Sequence, residues 1–232
     1  MGALARRSDA PELMDTDCRD YDDYRACLRD LSRVNVATLT HRPLLRWLAR
    51  TTADWPSFTL LDAACGYGDL LRVVARWAAR AGKQVRLTGV DLNPWAIRAA
   101  REAGGPDDIA YVHGDIFDHR PGQAPDLIVS SQFAHHLDDA AIVRFLGWLE
   151  AEAGRGWFVT DLRRHWFPYM GFPVLARVAL WHRFVRYDGR VSITRSLTAA
   201  EWQARVDEAG LHGVASVHRR LPFRITVERV RT

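Results

Sequence analysis

The sequence predicts an α/β protein built on a doubly wound sheet. Three observations point there. From residue 58 onward, short apolar runs alternate with amphipathic segments of helical spacing. A glycine-rich turn, Gly66-x-Gly68, follows the first run. Two further runs end in acids, at Asp91 and Asp115.

The elements follow in order. Residues 1–18 read as a mobile leader. Residues 19–35 predict a helix with Tyr24, Leu28, Leu31 and Val34 on one face. Residues 42–50 predict a second helix, with Pro43 in its first turn. Residues 58–63 read as a buried parallel strand, and an amphipathic helix carrying Leu70, Leu71, Val74, Trp77 and Ala78 then runs to Gly82. Residues 85–90 form a second strand. Asn93 and Pro94 open a helix that stops at Gly104 and Gly105. Residues 109–112 and 127–130 are the third and fourth strands. Asp138 or Asp139 caps a helix with Ile142, Val143, Leu146 and Leu149 inward, and residues 157–160 make a fifth strand. Residues 162–195 are aromatic and arginine-rich without a clean period. Thr198 and Glu201 have capping-box spacing. Residues 214–217 and 223–230 close the chain as an expected hairpin at the sheet edge, with a turn over 218–221. The division expected is 1–56, then 57–232 with an insert over 162–197.

Composition narrows the class. The chain has 232 residues, enough for a full core, and 48% of them are hydrophobic, which argues against disorder. No apolar stretch reaches the ~18–20 residues of a membrane span; residues 166–185 are interrupted by Arg177, His182 and Arg183. The N-terminus has no apolar core of a signal peptide. Cys18, Cys27 and Cys65 have no metal-ligand spacing, and a reducing cytoplasm fits them. The formal charge is +4, and Lys83 is the sole lysine among 32 basic residues. Either GC-rich codon usage or selection for guanidinium forks produces such a skew. Residues 155–232 hold 14 basic and 6 acidic residues, so the excess lies in the last third.

The strongest constellation is Asp62, Ala63, Ala64, Cys65, Gly66, Tyr67, Gly68 and Asp69, between the first strand and its helix. Glycines there let a ligand approach the backbone at the carboxyl end of the sheet. Asp91, ending strand two, is placed to accept both hydroxyls of a ribose. Asp115, after strand three, is placed to accept from an adenine ring, with Ile116 against its face. A nicotinamide site calls for G-x-G-x-x-G, and the third glycine is missing. A phosphate-cradling loop needs a lysine, and Lys83 lies elsewhere. Asp62 and Asp69 repel a pyrophosphate but attract a sulfonium and an ammonium. This favours S-adenosylmethionine over NAD.

With these motifs, together with residues 89–94, 114–116 and 126–131, the chain resembles the class I S-adenosylmethionine-dependent methyltransferases from about Leu60 onward. The resemblance implies a Rossmann-like sheet of seven strands, the last inserted antiparallel. It implies that Asp62 and Gly66 contact the methionine portion, Asp91 the ribose, Asp115 and Ile116 the adenine, and Ser131 the sulfur side. Gly68 and Leu92 join this cofactor set, as does Ala64, which stands where the family has its first loop glycine. Residues 12–33 look similar to the lid helices of members acting on ubiquinone- and polyketide-type molecules.

On the acceptor side, a hydroxyl nucleophile must lose a proton, and a histidine is the usual base. His135 and His136 follow strand four, and His165 follows strand five. These three are the candidate catalytic residues; His182 and Asp188 are weaker ones, and no metal is needed. In the resembled fold, the segment after strand five lids the acceptor pocket. Its aromatic residues therefore predict a planar or lipophilic acceptor. The arginines there read as a mostly solvated face, with one or two among Arg163, Arg164, Arg186 and Arg195 placed to hold an acidic group. The expected function is O-methylation of a phenolic, quinol or polyketide-type small molecule in secondary metabolism, in the cytoplasm, with a homodimer as the candidate assembly. Alternatives are C- or N-methylation and a cofactor-binding protein without transferase activity. A nucleic-acid methyltransferase is disfavoured, because residues 130–133 lack the Asn/Asp-Pro-Pro-Tyr type motif.

Overall fold

In a computed structural model, residues 2–106, 109–120 and 122–231 are described. Met1, part of the expected leader, lies outside them. The elements are α1 (Leu13–Thr16), α2 (Tyr21–Ala37), α3 (Arg42–Thr51), β1 (Ser57–Ala63), α4 (Asp69–Arg80), β2 (Gln84–Asp91), α5 (Pro94–Glu102), β3 (Ile109–His113), β4 (Leu127–Ser131), α6 (Asp139–Glu152), β5 (Gly156–Leu162), α7 (Trp166–Val178), α8 (Arg183–Arg195), α9 (Ala199–Glu208), β6 (Ser216–Arg220) and β7 (Arg224–Val230). Short 3-10 turns cover Gly2–Leu4 and Ala134–His136.

The strands form one seven-stranded sheet in the order β3-β2-β1-β4-β5-β7-β6. Pairs among β1 to β5 are parallel, and β7 runs antiparallel between β5 and β6. The chain leaves β1 toward β2 and β3, then returns to β4 on the other side. This reversal opens a crevice at the carboxyl ends of β1 and β4, where doubly wound sheets bind ligands.

Both faces are covered, as parallel strands require. Ile142, Phe145 and Leu146 of α6, with Trp202 and Val206 of α9, pack on one face. Leu71 and Val74 of α4, Ile97 of α5, and Leu44, Trp47 and Leu48 of α3 pack on the other. Each such buried side chain contributes about 1.5–3 kcal/mol relative to exposure. The predicted caps form: Asn93 accepts from Trp95 N–H, Asp138 from Ala141 N–H, and Thr198 and Glu201 close a full capping box.

Three expectations change. The leader is docked, not mobile. Arg7 donates to the carbonyls of Ala134, His135 and Leu137 and pairs with Asp139, while Glu12 is buried. Strand six begins at Ser216 rather than 214 and takes in 218–220, because Arg220 pairs in register with Arg224. The segment over 162–195 is two helices, α7 and α8, packed on each other and joined to α2 through Trp181, Phe184 and Val185.

Candidate functional site

The loop after β1 turns on three residues in the left-handed region: Ala64 (φ 62°), Gly66 (φ 51°) and Gly68 (φ 69°). This explains the glycine expected at position 64, since a Cβ there costs roughly 1–2 kcal/mol. A Cβ on Gly68 would collide with the Tyr111 ring. The loop is fastened to β2, because Cys65 N–H donates to Val90 O (3.0 Å) and Gly66 N–H to Asp91 Oδ2 (2.8 Å).

Asp91 also accepts from Asn93 N–H at Oδ1 (2.9 Å). Each of its oxygens keeps a second lone pair. Burial raises its pKa against the pull of these N–H donors and of His136. Asp62 is buried, and its Oδ1 has no partner. Burial, then the nearby charges of Asp69 and Asp91, push its pKa well above the carboxylate range. Ser131 Oγ, at the end of β4, is likewise buried without a partner. Asp115 is exposed; its Oδ1 accepts from Phe117 N–H (2.9 Å), and the next side chain, Ile116, is buried. Leu92 is exposed beside Asp91. The predicted cofactor residues thus gather at the carboxyl ends of β1 to β4. Their unpartnered Asp62 and Ser131 oxygens and their converging acids fit a cationic ligand with hydrogen-bond donors.

A second set of contacts ties α2 across this loop. His41 Nε2 and Asn35 Nδ2 both bond Asp69 Oδ2 (2.8 and 3.0 Å), and Gln132 Nε2 donates to Asn35 Oδ1 (2.5 Å). Burial would raise the pKa of Asp69, but His41 and Asn35 hold it lower.

Beyond β4 lies an apolar cavity of about 450 Å³. Its walls come from α2, α7, α8, the leader and the start of β7, and include Leu31, Val34, Phe167, Phe172, Ile193 and Phe223. Its ionisable residues are Glu12, Asp188 and Arg224, together with the Cys27 thiol, which burial pushes far up. Burial raises Asp188 to about 6, although its oxygens accept from Leu13 and Met14 N–H (2.7 and 3.0 Å).

The three candidate histidines separate. His135 is buried, its Nδ1 at 2.8 Å from Asp161 Oδ1 and its Nε2 at 3.5 Å from Glu12 Oε1. Burial alone would lower its pKa, but Asp161 and Glu12 lift it to about 10. Glu12 goes to about 2, because His135, His136 and Ser192 outweigh its burial. Both ring nitrogens of His135 thus face carboxylates, an arrangement that does not favour the base role expected of it. Ligand atoms of Glu12, His135 and His136 lie within 4.8 Å of one another. Asp161 and Ser192 already complete the bonding of Glu12 and His135. His165 caps α7 through Nδ1, which accepts from Phe167 N–H (3.2 Å), and its ring packs at a tilt against Phe223. It is a turn residue outside the cavity wall. His136 keeps 32% side-chain exposure, with Nδ1 at 3.4 Å from Asp15 and Nε2 at 3.9 Å from Glu12. It acts electrostatically on Asp91, lowering that acid's pKa against its burial, and its neighbour Glu12 lines the cavity, although His136 itself does not.

Sequence reasoning missed Glu12, Asp161 and Arg224. Of the four arginines that were candidates to hold an acidic group, Arg164 and Arg195 instead bind carbonyls. Arg195 reaches Ala10, His135 and His136, and Arg164 reaches Leu4 and Ser196 and pairs with Glu201.

Comparison with known proteins gives a matching family, described as a methyltransferase domain, over residues 60–166. No curated protein matches. Among solved structures, the chain is similar to the plantazolicin methyltransferase BpumL in complex with a triazolic desmethylPZN analog and SAH. That likeness has 12% identity, covers 90% of this chain and 97% of that one, and has a TM-score of 0.64. Magnesium protoporphyrin IX methyltransferase from Synechocystis PCC 6803, with bound SAH, gives 18% identity, 94% and 91% coverage and 0.55. Human N-acetylserotonin methyltransferase, in complex with SAM, gives 17%, 97% and 60% coverage and 0.65. At these identities the likeness is one of fold.

Proposed function

We propose that the chain, with a methyltransferase domain matched over residues 60–166 and the sheet order described above, is a class I S-adenosylmethionine-dependent methyltransferase that methylates a hydroxyl of an aromatic or lipophilic small molecule. The observation that carries the reading is the apolar cavity beyond β4, whose wall takes in Gln132, next to Ser131, and Leu162 at the carboxyl end of β5. S-adenosylmethionine supplies the transferable methyl group and the positive charge that Asp62, Asp69 and Asp91 call for. Ser131 Oγ and Asp62 Oδ1 are free to take polar groups of that cofactor, and Asp91 has lone pairs for its ribose. The structural relatives named above carry SAH or SAM and act on small molecules by their names, which supports the same assignment here.

Methyl transfer is an in-line displacement, so the acceptor oxygen must be held in line and kept dry. The aromatic wall excludes water. His136 takes the hydroxyl proton, with Asp15 and Glu12 orienting its ring. Asp188 is the second candidate base, because it lines the cavity and burial raises its pKa to about 6. The exposed apolar residues of α7, among them Trp166, Met170 and Val174, suit a homodimer, which sedimentation would test.

Product analysis with a hydroxylated aromatic panel tests the reaction. His136→Ala is expected to lower kcat by about 10²–10⁴ with cofactor affinity unchanged. His165→Ala is expected to keep full activity. A loss in Asp188→Asn with full activity in His136→Ala would move the base to Asp188. Full activity in both would remove side-chain base catalysis from the reading.

A further inference from the structure

Arg224 is the one cation of the cavity wall among the described residues. It opens β7, where it pairs in register with Leu162 at the carboxyl end of β5, and it is only 5% exposed. Its Nη2 donates to Thr38 Oγ1 (3.0 Å) and Thr40 Oγ1 (2.8 Å) at the end of α2. Its Nε is buried with no partner. Two hydroxyls orient a guanidinium but do not neutralise it.

Among the described residues no carboxylate forms an ion pair with it. Asp161 exerts the nearest negative charge, but both its oxygens are committed to His135 and one also accepts from Leu162 N–H. Glu12 is committed to His135 and Ser192, and Asp188 to the N–H groups of α1. A buried charge without a counter-charge is strongly destabilising. Burial lowers the guanidinium pKa only to about 10, so the charge persists at neutral pH. The wall around it is otherwise largely apolar. The unmet demand in this cavity is for an anion on a lipophilic body.

We propose that Arg224 holds a carboxylate of the acceptor, making the substrate class a hydroxylated aromatic or lipophilic carboxylic acid. This rests on the cavity being the acceptor site of a methyltransferase. The carboxylate anchors one end of the molecule, and the apolar wall holds the body with a hydroxyl toward His136. Guanidinium suits this role because its planar donors match a carboxylate.

The test is binding to the full chain, read by tryptophan fluorescence, with and without SAH. The probes are 6-hydroxy-2-naphthoic acid, 4-hydroxycinnamic acid and the carboxamide of each. The wild type is expected to bind at least one acid about tenfold or more tighter than its amide. Arg224→Gln is expected to abolish that preference while amide binding and SAH affinity stay unchanged. Arg224→Lys, which keeps the charge if the glutamine variant fails to fold, is expected to retain part of it. A wild type that prefers neither acid over its amide overturns the proposal, as does a preference surviving in a folded Arg224→Gln. Failure of SAH to bind the wild type would instead strike the methyltransferase reading, and that readout does not involve the acids.

Discussion

Asp91 shows how one side chain shapes the cofactor end. It fastens the loop through Gly66 N–H and turns the chain into α5 through Asn93 N–H. Both bonds aim its carboxylate along the crevice. Asp91→Ala is expected to weaken S-adenosylmethionine binding by about 1.5–3 kcal/mol, the cost of losing hydrogen bonds to a charged group. Isothermal calorimetry measures this, and an unchanged affinity would remove the ribose role. Two of the three histidines, by contrast, were legible only as types. His135 and His136 are adjacent in sequence, yet one is sealed between Asp161 and Glu12 and the other keeps an open ring. Asp161 sits 26 residues from His135, and Glu12 lies in the leader. No local spacing announces either.

The leader is the element whose role changed most. Its polar and acidic composition reads as solvated chain. It is held instead by Arg7 on the carbonyls around His135, by Arg195 on Ala10, and by Glu12 against His135. These are charged contacts, so docking responds to pH. His135 rises from an ordinary 6.5 to about 10, so its stabilising contribution is full below pH 6.5 and is lost as pH climbs through 10. Glu12 falls from 4.5 to about 2, so its contribution is present above pH 4.5 and is lost as pH drops toward 2. Limited proteolysis across pH is expected to find the leader most protected between these limbs. His135→Asn is expected to remove the alkaline limb and to move the acid limb to higher pH, because His135 is also the main group holding the Glu12 pKa down. A protection profile independent of pH would show that the ion cluster does not hold the leader.

Over the whole molecule, the arginine surplus divides into uses. Many arginines of the last third are committed internally. Arg164 and Arg195 bind carbonyls, Arg205 pairs with Asp139 and Glu208, Arg231 binds Glu150, and Arg224 faces the cavity. Fluorescence anisotropy with random single-stranded RNA and duplex DNA is expected to show no binding with the steep salt dependence of phosphate contacts. Affinity that falls sharply as salt rises would return nucleic acid as a partner.

Residue order alone determined the alternating sheet, the glycine loop, the acids at the strand ends and the helix caps. These rest on interactions within a few residues or on a period of burial, and both are written along the chain. Tertiary structure decided the rest. The family resemblance already implied that the last strand is inserted antiparallel, but the burial of Arg224 as a cation on the cavity wall appears only in the folded sheet. The folding of the leader over Ala134–His136 brings Glu12 to His135. In both cases the partner lies well over a hundred residues away, so the charge state and burial of each group depend on closures that no local pattern specifies.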